Sequence, residues 1–188
     1  MGRKRTIDRA ATMAAIETVV LRDGVSGLSI DAVAREAGIS KSSVVYDFHN
    51  KSGLLAAFTR NRMQQHRALL EEARTKLDGS DTWLRAAIHQ SQETLTDEEN
   101  AVALMVAAAT HASEECHNVM RQELAQHLED VQADAADPRA TLLAFLALHG
   151  LKCMEYFNFY HFDSDTRETL LRDISALITP DPAAQKTL

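Results

Sequence analysis

The chain has 188 residues, a net charge of −7, two cysteines, three prolines and seven glycines. That length supports a core without staples, and two cysteines build no disulfide framework. No apolar run nears a membrane span and no signal-peptide pattern is present, so neither a membrane span nor export is expected and a reducing cytoplasm is the expected setting.

Abundant Ala, Leu, Glu, Arg and Gln with no alternating β-pattern predicts an all-α fold. Charge is unevenly placed. Residues 1–51 carry eight Lys and Arg against six Asp and Glu, while the remainder carries twelve against twenty-one. The basic front suits phosphate, and the acidic remainder limits nonspecific attachment to DNA.

Residues 1–5, MGRKR, are basic, and Arg3, Lys4 and Arg5 could reach phosphates or a minor groove. A first helix is predicted over about 6–23, with Ile7, Ala10, Ala11, Ala14, Val19 and Leu21 among its packing positions and Gly24 as its cap. Residues 29–51, SIDAVAREAGISKSSVVYDFHNK, then read as two short helices joined by a tight turn. Ser29 caps the first, whose apolar face carries Ile30, Val33, Ala34 and Ala37. Gly38 closes it in the left-handed conformation. Ser40 caps the second, in which Val44 and Phe48 share one face. Ala34, Gly38 and Val44 have the spacing of a helix-turn-helix, whose second helix enters a DNA major groove. Facing away from Val44 and Phe48 are Ser42, Val45 and Tyr46, with Ser43 on the flank. That small, hydrogen-bonding surface suits close approach to bases and phosphates. On spacing alone, an ordinary helical hairpin remains open.

Residues 7–58 resemble the N-terminal domain of TetR-family transcriptional regulators. The matching residues are Gly24, Leu28-Ser29-Ile30, Val33-Ala34, Ala37-Gly38-Ile39-Ser40, Tyr46, Phe48, Lys51 and Leu54. The resemblance implies a helix-turn-helix DNA-binding domain over 1–50 and a helical effector-binding and dimerisation domain over 51–188. The residues expected against DNA are Ser29, Lys41, Ser42, Ser43, Val45, Tyr46, His49 and Lys51. In this family the lysine matching Lys51 contacts a phosphate, beside the free N–H groups of a helix start. Two positions depart from the pattern. Val45 stands where a larger aromatic is frequent, and Asp47 brings a negative charge near phosphates.

Asn50 caps a long amphipathic helix predicted to run to about Lys76, which would join the two domains and transmit a ligand signal. After the break at 78–81, helices are predicted over about 82–95, 97–112, 113–135, 138–160 and 165–178. Thr96 and Glu99 form a capping box. The helix over 97–112 is apolar almost all round and is expected to be buried centrally. In the next, Cys116, Val119, Met120, Leu124, Leu128 and Val131 are expected to face inward. Pro138 suits a first helical turn, and Pro180 and Pro182 end the last helix.

Six of ten aromatic residues fall in 145–162: Phe145, Tyr156, Phe157, Phe159, Tyr160 and Phe162. They fit a homodimer seam through 139–178 or the wall of a small-molecule pocket, and the family's four-helix dimer favours the seam. By the same resemblance, pocket candidates are Met63, His66, Trp83, Met105, His111, Cys116, Met120 and Phe157, a set suited to an apolar or aromatic effector. For any one of them, ordinary core packing is the competing role.

His149 with Cys153, and His111 with Cys116 and His117, lack a full ligand set at familiar spacing, so no metal or cofactor is expected. No nucleophile elbow, phosphate loop or paired His–carboxylate motif marks an enzyme. The sequence thus points to a ligand-responsive regulator, a repressor by the family's habit. It would bind a palindromic operator as a homodimer and be released by a small, mostly apolar effector. The alternative is a helical small-molecule-binding or scaffold protein that does not read DNA.

Overall fold

Nine helices and no strand occur among the residues that this computed structural model describes, 9–93 and 96–178. They are α1 (Arg9–Gly27), α2 (Ile30–Ala37), α3 (Lys41–Phe48), α4 (Lys51–Arg74), α5 (Thr82–Gln90), α6 (Asp97–Ala112), α7 (Glu114–Ala133), α8 (Pro138–Tyr156) and α9 (Ser164–Ile178). The described residues before 66 join 97–123 in one compact unit; the described residues of 66–96, with 124–178, form another. Both α4 and α7 therefore begin in the first unit and end in the second.

In the first unit, α1 is interrupted at Gly24, whose φ of 70° and ψ of 177° favour glycine alone. The expected start near residue 6, with Ile7, lies outside the described residues, as do Arg3, Lys4 and Arg5. Ile16, Val19 and Val20 of α1 pack with Leu28, Val33, Val44, Phe48, Leu54 and Phe58. Three short helices bury too little surface to be robust alone. Val102, Val106 and Ala109 of α6, with Cys116 and Val119 of α7, complete their core.

Helix α6 departs from its expected central burial. Val102, Val106 and Ala109 share one buried face, whereas Leu104, Ala108 and His111 meet solvent. Its many alanines make the sequence look apolar even on the side where Ala108 and Ala112 are exposed. Leu124 of α7, expected inward, is likewise exposed.

In the second unit, Leu70, Trp83, Leu84, Ile88, Val131, Phe145, Leu148, Leu171 and Ile174 are among the residues of the core. A polar staple holds its loops. Asp81 is 1 % exposed and left-handed. Its carboxylate accepts from the Thr141 hydroxyl at 2.5 Å and the Ala136 N–H at 3.1 Å. Asp134 in turn accepts from the Thr82 N–H and hydroxyl, both at 2.6 Å. Helix α5 ends at Gln90, short of the expected Leu95, where the Ser91 hydroxyl donates to the Ala87 carbonyl at 2.8 Å; Leu95 lies outside the described residues. Arg167, 8 % exposed, bridges α9 to Glu155 at 2.7 Å and to the Gln92 carbonyl at 3.3 Å. Helix α8 stops at Tyr156, before the aromatic run ends, where Asn158 turns left-handed.

No helix among the described residues is long and apolar enough to cross a membrane.

Candidate nucleic-acid interface

The pair α2–α3 is set by side-chain caps at its two starts and a glycine between. Ser29 accepts from the Ala32 N–H at 3.1 Å, and Ser40 from the Ser43 N–H at 3.1 Å. Each satisfies a donor that the helix leaves free. Gly38, at φ 63° and ψ 30°, closes α2 by sending its N–H back to the Arg35 carbonyl at 3.3 Å. These caps fix how α3 leaves the turn, and Val44 and Phe48 anchor its inner face.

The outer face is open. Tyr46 is 80 % exposed and Val45 40 %. Ser42 and Asp47 are exposed and Ser43 is half-buried. The Ser40 hydroxyl lies 2.9 Å from that of Ser42 and 2.7 Å from that of Ser43, so three hydroxyls share hydrogens at the start of α3. Hydroxyls and a phenol offer both donors and acceptors to base edges and phosphates.

The flanking cations are already engaged. Lys41 pairs with Asp31 at 2.9 Å. Lys51 donates from Nζ to the Ser26 carbonyl at 2.8 Å. An ammonium carries three donors, so this bond positions Lys51 and leaves hydrogens for an anion.

Between α3 and α4 the backbone is tight. His49 has φ 61° and ψ −55°, and the Asn50 N–H donates to the Phe48 carbonyl at 2.7 Å. This is a γ-turn of the rarer, strained hand. Asn50 then caps α4, its Oδ1 accepting from the Gly53 N–H at 3.0 Å. A Cβ on Gly53 would stand 2.0 Å from the Phe48 carbonyl oxygen, so only glycine lets the turn pass so close. Strain of this kind concentrates at functional sites.

The expected effector residues fall into two groups. Met63, Met105 and Met120 are half-buried against the first core, Cys116 is buried in it, and His111 is exposed. In the second unit Trp83 is buried, while His66 and Phe157 are exposed, the latter stacked on Phe159 at 5.6 Å. A groove of about 310 Å³ in the first unit is lined by Arg9, Met13, Ala57, Arg60, Asn61 and Gln64, none of them in that set. Sequence reasoning missed His127 and Lys152, and weighed His149 only for metal. His127 lies 6.2 Å from Trp83 and 5.6 Å from Phe145 between ring centroids. Nothing local marks it, because its neighbours come from α5 and α8. No group of three or more His, Cys, Asp or Glu among the described residues could hold a metal ion.

Residues 10–58 match the family model for bacterial regulatory proteins of the tetR family, and residues 81–179 match that for the tetracyclin repressor-like C-terminal domain. Among solved structures, a transcriptional regulator from Streptomyces coelicolor A3(2) superposes with a TM-score of 0.74 at 14% identity, covering 92% of this chain and 98% of its own. A TetR-family regulator from Rhodococcus sp. gives 0.69 at 19% identity, with 91% and 98% covered. The multidrug binding protein EbrR, complexed with malachite green, gives 0.67 at 19% identity, with 93% and 99% covered. These likenesses concern the fold. A comparison with curated proteins found no match.

Proposed function

Because this chain belongs to the TetR family of bacterial transcriptional regulators, we propose that it is a ligand-responsive repressor of the cytoplasm, bound as a homodimer to a palindromic operator. The observation that carries the reading is the outer face of α3. Tyr46, Val45 and Ser42 stand in solvent on a helix whose other side is locked by Val44, Phe48 and the Ser40 cap. Residues 1–50 would read DNA, and 51–188 would bind effector and partner. Ser29, Lys41, Ser43, His49 and Lys51 flank the reading face.

A second copy has a natural seat. Leu143, Leu146, Ala147, Gly150 and Met154 form an exposed apolar stripe along α8, and Leu177 is exposed on α9. Steps of three and four residues keep the stripe on one helix face, and two such faces are self-complementary about a two-fold axis. The dimer would set two α3 helices about 34–36 Å apart, or a multiple of that, to meet successive major grooves. A small, mostly apolar effector would favour a conformer with another spacing and release the operator. EbrR, complexed with malachite green, is one protein of this fold that holds an aromatic molecule.

Exposed Asp47, a negative charge on the reading helix, favours the second reading, a helical scaffold or small-molecule-binding protein that does not touch DNA. DNase protection across the upstream region of the protein's own gene separates them. The expected result is one protected palindrome, lost with Tyr46→Ala and steeply weakened by salt. Absence of any protected site, with a chain that sediments as a monomer, refutes the repressor.

A further inference from the structure

In the second unit three imidazoles and an ammonium converge beside buried rings, and the acid whose charge reaches His127, Asp130, is already paired with Arg67. His127 of α7 lies 5.6 Å from Phe145 and 6.3 Å from His149, and Phe145 lies 4.0 Å from His149. Lys152 follows His149 by three residues on α8, with its ammonium 5.5 Å over the Tyr156 ring. His66 comes from α4, within reach of the fields of Lys152, His127 and His149.

The other charges facing this cluster are already matched. Arg67 lies 5.2 Å from the Trp83 ring and pairs with Asp130 at 2.5 Å. Arg74 lies 4.5 Å from the same ring and pairs with Glu71 at 2.9 Å. Asp134 is taken by Thr82. His149 donates from Nδ1 to the Phe145 carbonyl at 2.9 Å, which leaves its Nε2 free to accept. Among the described residues, no hydrogen bond reaches the rings of His66 and His127 or the Lys152 ammonium.

This setting disfavours charge. Burial first, and then the charge of His149, push the His127 ring down to about 4. His149 and Lys152 are lowered mainly by burial. His66 is exposed, and desolvation by the atoms around it, and then the charge of Lys152, lower its ring as well. An arriving anion would reverse the penalty. It would accept charge-assisted hydrogen bonds and draw protons onto the imidazoles. A neutral molecule gains neither.

We propose that His66, His127, His149 and Lys152 form the head-group site of the effector, which is a small organic acid. Its carboxylate meets these four groups, and its apolar body lies along Leu69, which is exposed on α4 three residues beyond His66. This rests on the effector-responsive reading above and narrows the effector's class to one with an acidic end.

Calorimetry and histidine-ring NMR on the full-length wild-type chain test it, with benzoate, neutral benzamide and inorganic phosphate as probes. Benzoate is expected to bind with proton uptake near neutral pH, seen as heats that vary with buffer ionisation enthalpy. The His127 and His149 rings should gain about tenfold in proton affinity. Benzamide should bind at least about tenfold more weakly, as should benzoate to Lys152→Met or His127→Gln. Equal binding of benzoate and benzamide, silence toward benzoate at millimolar concentration, or tighter binding of phosphate overturns the proposal. The benzoate–benzamide comparison uses wild-type protein, so a variant that fails to fold does not blunt it. Operator binding measured on the same sample keeps the readings apart. A chain that binds DNA but ignores benzoate sinks the head-group site alone, and one that binds benzoate but no DNA sinks the repressor alone.

Discussion

The Lys51 ammonium donates to the Ser26 carbonyl at 2.8 Å, tying the first turn of α4 to the last turn of α1. The bond fixes the lysine beside the free N–H groups of a helix start, where an anion is favoured. Lys51→Met should therefore weaken operator binding alike across sequences and lower the slope of log affinity against log salt by about 1. The exposed bond itself is worth only about 1 kcal/mol of stability. A variant with wild-type affinity and slope would show that the ammonium serves Ser26 alone.

Gly53 and Phe48 make a sharper case. Gly53→Ala would place a methyl 2.0 Å from the Phe48 carbonyl oxygen, a backbone atom that cannot swing aside. Either the γ-turn at His49 opens or α4 starts later, and both move α3. The expected cost is about 1–3 kcal/mol, read as a lower urea midpoint, with operator affinity falling further than stability alone explains. Gly38→Ala is the comparison: its added Cβ meets nothing within 4 Å, so only the left-handed backbone is penalised, by about 1–2 kcal/mol.

These two glycines mark how far the sequence could be read. Gly38 was legible because a helix end, a cap and the next Ser40 lie within a few residues, and such signals are local. Gly53 was not, since its need for a bare Cα comes from a carbonyl turned back by His49, a residue with no sequence mark of left-handed backbone. The same divide runs through the second half of the chain. Asp137 and Pro138 announce the start of α8, and Asp137 does accept from the N–H groups of Arg139 and Ala140. Leu124 fitted the inward stripe of α7 by period and is exposed, because periodicity gives a face but not whether a neighbour covers it. The basic cluster stayed hidden because α4, α7 and α8 each contribute too little of it to form a motif.

Asp81 joins loops that lie far apart in the chain. Its carboxylate is the sole acceptor that hydrogen-bonds the Thr141 hydroxyl and the Ala136 N–H among the described residues. Asp81→Ala would orphan both donors and force alanine into the left-handed region, at a cost of about 3 kcal/mol or more. Asp81→Asn tolerates that backbone and keeps one oxygen acceptor, so it should lose less than half as much. Denaturant unfolding of the two variants checks the order. Equal losses would mean that the charge, and not the bonding pattern, is what the loops require.

Leu146, 57 % exposed at the middle of the α8 stripe, tests the dimer. Leu146→Glu puts a charge on each side of the proposed two-fold contact, where neither finds a partner. The variant should sediment as a monomer while its helical content is kept, because a surface change away from the core alters protomer stability by only about 0.5 kcal/mol. Operator affinity should fall with it, since one half-site gives only part of the binding surface. An intact dimer would move the seam away from this face.

Histidine burial gives stability a direction with pH. In the unfolded chain the ring of His127 titrates near its ordinary value of about 6.5, whereas the folded ring is pushed down to about 4 by burial first and then by His149. Above 6.5 the ring is neutral in both states, and the full stability is present. As pH falls below 6.5, the unfolded chain takes up a proton that the folded ring refuses, so stability drops. The loss grows until about pH 4, where the folded ring also protonates, and then levels off. Discounted for partial solvent access, His127 should contribute about 1–3 kcal/mol of this loss. Urea midpoints at pH 7 and pH 5 should therefore lie further apart in the wild type than in His127→Gln, whose side chain does not titrate. The difference between the two proteins cancels the carboxylates, which also respond to acid. A saturating organic acid should shrink the wild-type gap, because it would hold the imidazolium form that folding otherwise penalises. If the two proteins lost stability equally between these pH values, His127 would not be the group that senses the change.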